Sequence, residues 1–471
     1  MEVSDMLDAE SMHRLAKMAL DTGEADSPEA AIALFQKYRV RIHLGAGWAD
    51  TSAGQACFLT ALNTSARAFL GGVEVHGDLD HRLTVPLFEG RHVREVIGEC
   101  GGHAAAVAST RLPTLVIGEV PKGPDAGFCV QLAWDGWCAW ISPWQQDDAT
   151  SFGRDNPLAG VAAAALGVNE AFLHVRGEFA EAGHRVVGLS LWNPLAMADW
   201  RDYVGPDLQY LPKDLWLVGL GHLGQAYAWT LAMLPYTAAR AHLVLQDFDK
   251  AARSNLSTCM LLGSHDLGKR KVRVVAQRLE AAGFEIDMVE RRFSSNHRVL
   301  PGEPSTALIG VDNVGTRREL DTAAFDLVVE AGLGSGHHDF RNIRTHCFPG
   351  PRKPSEVWRA DAAVEAGVEL SDTYKKLAAQ RNDICGMTLL ASRAVATPFV
   401  GAFAASLVLA EVIRPLHGGG VHAALDMQMK NLSYRIGAPS APHAGLPTPY
   451  LEAERPKLRP APKHRELAAS T

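Results

Sequence analysis

The run Asp214-Leu-Trp-Leu-Val-Gly-Leu-Gly-His-Leu-Gly224 constrains this chain more than any other segment. An apolar stretch of strand length runs straight into three glycines, and a helical pattern follows. A strand feeding a tight glycine turn and then a helix is the opening of a βαβ unit, which commits the chain to a largely parallel sheet with helices on its faces. The same opening occurs a second time. A β-prone run at 38–44 ends in Gly45-Ala46-Gly47, and an alanine-rich helical pattern covers about 54–69. Two such openings in one chain imply two related halves.

The remaining pattern agrees with that frame. Residues 1–38 read as two short helical segments separated by the start signal Asp26-Ser27-Pro28-Glu29. Further β-prone runs lie at 114–118 and 127–141, and a helical run spans 156–172. In the second half the strand at His242–Gln246 precedes a helix near 270–282, a strand-like run at 284–290, an apolar run ending at Val311-Asp312-Asn313, and Leu327-Val-Val-Glu-Ala-Gly332. An almost wholly apolar helix at 397–415 reads as buried core. Strands alternating with helices give an α/β class with a Rossmann-like, doubly wound mixed sheet. The 471 residues suffice for roughly two to four domains. The expected division is 1–205 for the first half, 206–438 for the second with a crossover loop at about 340–396, and an irregular tail at 439–471.

Composition excludes several classes. Hydrophobic residues make up 47% and charged residues 21%, which is globular rather than disordered. A formal charge of −7 argues against a bulk nucleic-acid surface. The seven cysteines form no CxxC pair, so neither a disulfide framework nor a zinc site is expected. The first residues lack the basic-then-apolar order of a signal peptide. The longest apolar stretch, 399–413, is short and carries Glu411, so no membrane association is expected and the cytoplasm is the expected location.

The glycine turn (Gly219, Gly221, Gly224) permits backbone amides to approach phosphates at a helix N-terminus. Asp247-Phe-Asp249 ends the next strand, where a carboxylate can accept ribose hydroxyls. Alone, these two features describe a nicotinamide dehydrogenase as well as an ATP site, and either Asp could be a helix cap. The residues that follow separate the readings. Asn255 can give an amide to phosphate, Lys271 an ammonium, and Asp312, followed by Asn313, stands where a carboxylate can hold magnesium. Hydride transfer needs none of these charges, whereas attack on a triphosphate does.

The series Gly-x-Gly-x-x-Gly, Asp-x-Asp, Ser-Asn-Leu, Asp-x-Gly-x-x-Lys and Asp-Asn-x-x-x-Arg resembles the ubiquitin-activating and ThiF/MoeB adenylation superfamily over about 211–335. The likeness extends to the helix carrying Pro398, Gly401 and Glu411. It implies an ATP- and Mg²⁺-dependent enzyme that activates the C-terminal glycine of a ubiquitin-like or sulfur-carrier protein as an acyl adenylate. Carried over by position, Asp247 would bind ribose, Asn255 and Lys271 phosphates, Asp312 magnesium, and the glycine loop would lie close to the nucleotide. Many members then pass the acyl group to a cysteine in the crossover loop. Cys385 lies in that region, after a charged segment at 371–383 that reads as an exposed loop; Cys259 and Cys347 are weaker candidates. A separate ubiquitin-conjugating-like enzyme would be the next partner, as in bacterial antiphage operons.

Two departures qualify the likeness. Superfamily members read Asn-Leu-x-Arg, and this chain has Thr258 where the arginine stands; Arg253, Arg270 or Arg317 could compensate. The zinc-binding cysteine pairs are missing. The first half resembles the inactive half of two-part activating enzymes, and the resemblance allows an arginine from that half, Arg14, to reach the phosphates. His222, His337 and His338 lack ligand spacing and read as loop or hydrogen-bonding histidines. The expected assembly is a monomer with pseudo-twofold halves or a homodimer. The alternatives are a sulfur-carrier adenylyltransferase, a nicotinamide-dependent oxidoreductase, and a weakly catalytic scaffold that binds a ubiquitin-like protein.

Overall fold

The computed structural model describes residues 8–107, 111–120, 127–144, 153–236, 241–359, 370–439 and 449–453. In the first half, strands β1 (Val40–Leu44), β2 (Val73–Gly77), β3 (Gly102–Ala104), β4 (Thr114–Ile117), β5 (Cys129–Asp135), β6 (Cys138–Pro143) and β7 (Val187–Ser190) form one sheet. Its order is β3-β2-β1-β4-β5-β6-β7, parallel through β5 and antiparallel beyond. After the short strand β8 (Tyr210–Pro212), the second half repeats the plan with β9 (Asp214–Val218), β10 (His242–Gln246), β11 (Glu285–Val289), β12 (Thr306–Ile309), β13 (Leu327–Leu333), β14 (Asn342–Phe348), β15 (His422–Gln428) and β16 (Arg435–Pro439). The order is β11-β10-β9-β12-β13-β14-β15-β16, again parallel for five strands and then antiparallel. The doubled opening in the sequence is thus a doubled topology.

Four helices join the halves. Those at Ser52–Ala68 and Pro157–Arg176 belong to the first, those at His222–Leu231 and Pro398–Ile413 to the second, and they contact one another across the boundary. Ala162, Ala163, Ala164 and Ala165 carry almost no side-chain bulk, which lets helix axes approach closely. The Phe172 and Phe399 rings sit 5.8 Å apart, and Trp229 Nε1 donates to Thr60 Oγ1 at 3.0 Å. Among the described residues two helices are long and apolar enough to cross a membrane, Pro157–Arg176 and Pro398–His417; both are largely buried and spend their apolar surface on each other and on the sheets. The Arg414 guanidinium closes this joint. It donates to the Leu191 carbonyl at 2.7 Å and pairs with buried Glu411, which also accepts the His422 backbone N–H at 2.8 Å.

Several sequence expectations need correction. The tail is not wholly irregular, because β17 (Tyr450–Glu452) pairs antiparallel with β8. Residues 440–448 and 454–471 lie outside the described residues. The crossover segment is not a loop throughout. It begins with β14, a core strand, and later contains helices at Asp372–Arg381 and Ile384–Ser392, while 360–369 lie outside the described residues. The charged segment at 371–383 is helical because Tyr374 and Leu377 are buried, and the Tyr374 hydroxyl donates to Asp21 at 2.6 Å. That partner stands some 350 residues earlier in the chain, where no local period can signal it.

Candidate active site

The C-terminal ends of β9, β10, β12 and β13 open onto a cleft of about 760 Å³. This is where open α/β sheets bind ligands, because the strand order reverses here and the crossing connections leave a crevice. Its walls include Gly219, Gly221, Asp247, Asn255, Lys271 and Asp312. Asp249, Asn313, Thr258 and Arg14 also line it.

The three glycines do different work. Gly219 has φ +83°, and a Cβ there would lie 2.7 Å from Val311 Cγ1. Gly224 does not line the cleft. A Cβ on it would fall 1.8 Å from the Gly219 carbonyl oxygen, so it allows the helix to start directly on the loop. At Gly221 a Cβ would meet nothing within 4 Å, and the space it leaves belongs to the cleft.

Asp247 is buried, and both its oxygens hold the loop. Oδ2 accepts the Leu220 N–H and Oδ1 the Asp249 N–H, each at 2.6 Å. Its remaining lone pairs are the ones available to a ligand hydroxyl. Burial pushes the Asp247 carboxyl up, opposed chiefly by Lys271. The Lys271 ammonium is also buried and lies 3.1 Å from Asp249 Oδ2. Burial alone would lower its pKa, but Asp247, Cys259 and Asp249 outweigh that and raise it. Lys271 therefore stays charged and points at the cleft between two carboxylates. Asn255 Oδ1 accepts the Ala252 N–H at 2.9 Å, which leaves its amide N–H groups to donate.

Asp312 stands just beyond β12 and is exposed; among the described residues no hydrogen bond or ion pair engages its carboxylate. Asn313 caps the following helical turn, accepting the Thr316 N–H at 3.0 Å. Arg317 is committed elsewhere. Its Nη2 donates to the carbonyls of Val311 at 2.7 Å and Ala331 at 2.9 Å, and its guanidinium lies over Trp358 and near buried Glu330. It holds the Asp312 loop in place through Nε and Nη2, and it also lines the cleft, with Nη1 making no hydrogen bond among the described residues. Arg270 donates to the Phe248 carbonyl and does not line the cleft, and neither does Arg253.

Arg14 reaches the cleft from the first half. It stands before the helical turn Met18–Asp21, and its Nη2 donates to Ser254 Oγ at 3.2 Å. Sequence reasoning missed Arg393, which lines the cleft where the chain re-enters from the crossover segment. It sits four residues before the recognisable Thr397-Pro398 helix start, and no motif marks it.

Cys385 is exposed near the start of the Ile384–Ser392 helix, whose far end leads into cleft-lining Arg393. It lies outside the cleft wall, roughly 10 Å of helix axis away. Cys259 and Cys347 are buried, and burial pushes the Cys259 thiol up to about 11 and that of Cys347 well above its usual range. They are set aside as nucleophiles. His222 has a buried Nε2 that makes no hydrogen bond among the described residues and packs against Gly401, and burial lowers its pKa to about 4. Among the described residues no three His, Cys, Asp or Glu side chains form a metal cluster.

The corresponding corner of the first half is closed by its own side chain. Asp155 accepts the N–H groups of Ser52 at 3.1 Å and Ala53 at 2.7 Å, at the start of the helix that matches His222–Leu231. A carboxylate thus sits where a phosphate would be bound. The glycine turn is closed too, since a Cβ on Gly45 would meet the Glu119 carbonyl at 2.4 Å.

Comparison with known proteins agrees with this two-part layout. Residues 39–191 match the family described as BilD N-terminal domain, and residues 211–419 match BilD C-terminal domain. A relative from Collimonas sp. (strain OK412), named bacterial E1-like protein BilD, is 42% identical over 417 residues, covering 88% of this chain and 90% of its own. Among solved structures, E. coli MccB is similar at a TM-score of 0.33 and 11% identity, covering 67% of this chain and 93% of its own. PaaA is similar at 0.31 and 18%, covering 48% and 72%. The chain belongs to the BilD family of bacterial E1-like proteins.

Proposed function

We propose that this chain binds ATP in the cleft and adenylates the C-terminal carboxylate of a ubiquitin-like protein, which it then holds as a thioester on Cys385. The observation that carries the reading is convergence. Asp247, Asn255, Lys271 and Asp312 come from four separate segments and line one cleft, with Arg14 added from the other half. Such a set suits a triphosphate, since several cations and amide donors face one carboxylate left unengaged for a metal ion.

In this reading the open side of Gly221 admits the phosphates, Asp247 accepts ribose hydroxyls, and Asn255 and Lys271 hold phosphate oxygens. The free carboxylate of Asp312 fits magnesium, which is held by one or two carboxylates together with phosphates. Bound there, the ion would neutralise phosphate charge. The carrier carboxylate attacks the α-phosphorus, and pyrophosphate leaves. The exposed thiol of Cys385 then displaces AMP, which requires the carrier terminus or the Ile384–Ser392 helix to move.

Incubation of the purified chain with ATP, magnesium and a glycine-terminated ubiquitin-like protein, followed by a non-reducing gel, tests this. A carrier adduct sensitive to reductant, lost in Cys385→Ala and in Asp312→Ala, is expected. An acyl adenylate without an adduct would place the chain with sulfur-carrier adenylyltransferases. Neither product with a carrier that binds would leave a scaffold.

A further inference from the structure

Thr258 stands in the cleft wall where the superfamily pattern has an arginine, and five arginines stand in the same wall, Arg14, Arg291, Arg292, Arg317 and Arg393, of which Arg14 and Arg393 flank the turn and the re-entry segment. Arg14 is fixed against the turn that carries Thr258. Its backbone N–H donates to Ser257 Oγ and its Nη2 to Ser254 Oγ, both at 3.2 Å. Arg393 comes from the re-entry segment, which the Val395 N–H pins to the Ser335 carbonyl at 2.8 Å. Each has a donor left over. Arg14 Nη1 and Arg393 Nε are buried and have no acceptor among the described residues. The two charges also feel each other. Burial, and after it the Arg393 guanidinium, lowers the Arg14 pKa to about 10. Two like charges with buried, unused donors facing one cleft are costly unless an anion lies between them.

We propose that Arg393 supplies the phosphate-binding charge that residue 258 lacks, and that with Arg14 it clamps the leaving pyrophosphate. This rests on the ATP reading. As the carrier carboxylate oxygen bonds to the α-phosphorus, the bond from that phosphorus to the bridging oxygen breaks, and its electron pair departs with pyrophosphate. Charge grows on the oxygens of the leaving group. A guanidinium fork presents paired N–H donors to such oxygens, which a lysine cannot reproduce. The clamp is assembled from three parts of the chain: the N-terminal segment, the turn at 254–258 and the re-entry segment.

Titration calorimetry of the full chain with ATP, inorganic pyrophosphate and AMP tests the assignment. Arg393→Met and Arg14→Met are each expected to weaken pyrophosphate and ATP about tenfold or more, with AMP within about twofold of wild type. Arg393→Lys should fall between, since it keeps the charge and loses the Nε donor. Equal pyrophosphate affinity in wild type and Arg393→Met would overturn the clamp. So would a parallel loss of AMP binding, which would make Arg393 a structural prop. Wild-type protein that binds no ATP would overturn the nucleotide reading itself, and the clamp with it.

Discussion

Two glycines of one loop should separate folding from binding. At Gly224 an added Cβ lies 1.8 Å from the Gly219 carbonyl oxygen and 2.8 Å from its carbon. Both obstructing atoms are backbone, so no side chain can swing aside. The helix must back away from the loop by more than 1 Å to restore van der Waals contact at about 3 Å or beyond. Overpacking of this kind costs roughly 1–3 kcal/mol, which lowers the folded-to-unfolded ratio about five- to 150-fold. At Gly221 the added Cβ meets no protein atom within 4 Å, and φ is −80°, outside the left-handed region. Gly221→Ala should therefore change stability by only about 0.5 kcal/mol. Its methyl group occupies the space where a phosphate oxygen would approach the loop amides. Losing one charge-assisted hydrogen bond there costs about 1.5–3 kcal/mol, or roughly ten- to 150-fold in ATP affinity. Urea denaturation and ATP titration of both variants give the two readings. Gly221→Ala that unfolds as early as Gly224→Ala, or that binds ATP like wild type, would show that Gly221 does not leave open space for phosphate.

Other expectations follow from the same geometry. Arg414→Met removes the tie to Leu191 and leaves Glu411 buried and short of its partner, which should cost about 3–5 kcal/mol in chemical denaturation. Burial raises the Glu411 carboxyl, but Arg414 and His422 outweigh it and hold its pKa below the usual range. Its stabilisation is therefore present above the ordinary glutamate value of about 4.3 and is lost as pH falls through the folded value. Glu411→Gln should be less stable at neutral pH, and the difference from wild type should shrink on acidification below about pH 5. Asp155→Ala should cost about 1 kcal/mol as a lost helix cap while leaving ATP affinity unchanged. Thiol alkylation under native conditions should label Cys385 well before Cys57, Cys138, Cys259 and Cys347, which are buried; uniform labelling would contradict the placement.

What could be read from the sequence follows the range of the interactions involved. The strand His242–Gln246 and the Pro398–Ile413 helix were legible because an apolar run and a start signal are local properties. The Val73–Gly77 strand was not, because Glu74 and His76 interrupt its apolar pattern; buried Glu74 accepts a hydrogen bond from Arg41 at 3.0 Å. The Asp372–Arg381 helix was hidden for a similar reason, since the surface that buries Tyr374 is the N-terminal segment. Within the site, the glycines, Asp247, Asn255, Lys271 and Asp312 were legible as an ordered series of residue types. Of the arginines, Arg14 was named from the resemblance and does line the cleft, and the others were read less well. Arg317 follows the motif and lines the cleft but spends Nε and Nη2 on backbone carbonyls, whereas Arg393 follows no motif and reaches the cleft because the chain returns there. A charge whose position is set by chain re-entry has no sequence signature.

Under the proposed function this cleft joins AMP to a carrier carboxylate. ATP–pyrophosphate exchange measures that step directly, because labelled pyrophosphate enters ATP only when the adenylate forms reversibly. Exchange should depend on a ubiquitin-like protein with a C-terminal glycine, persist in Cys385→Ala, and be lost in Asp312→Ala. Undiminished exchange in Asp312→Ala, or none in wild type with a carrier that binds, would contradict that function.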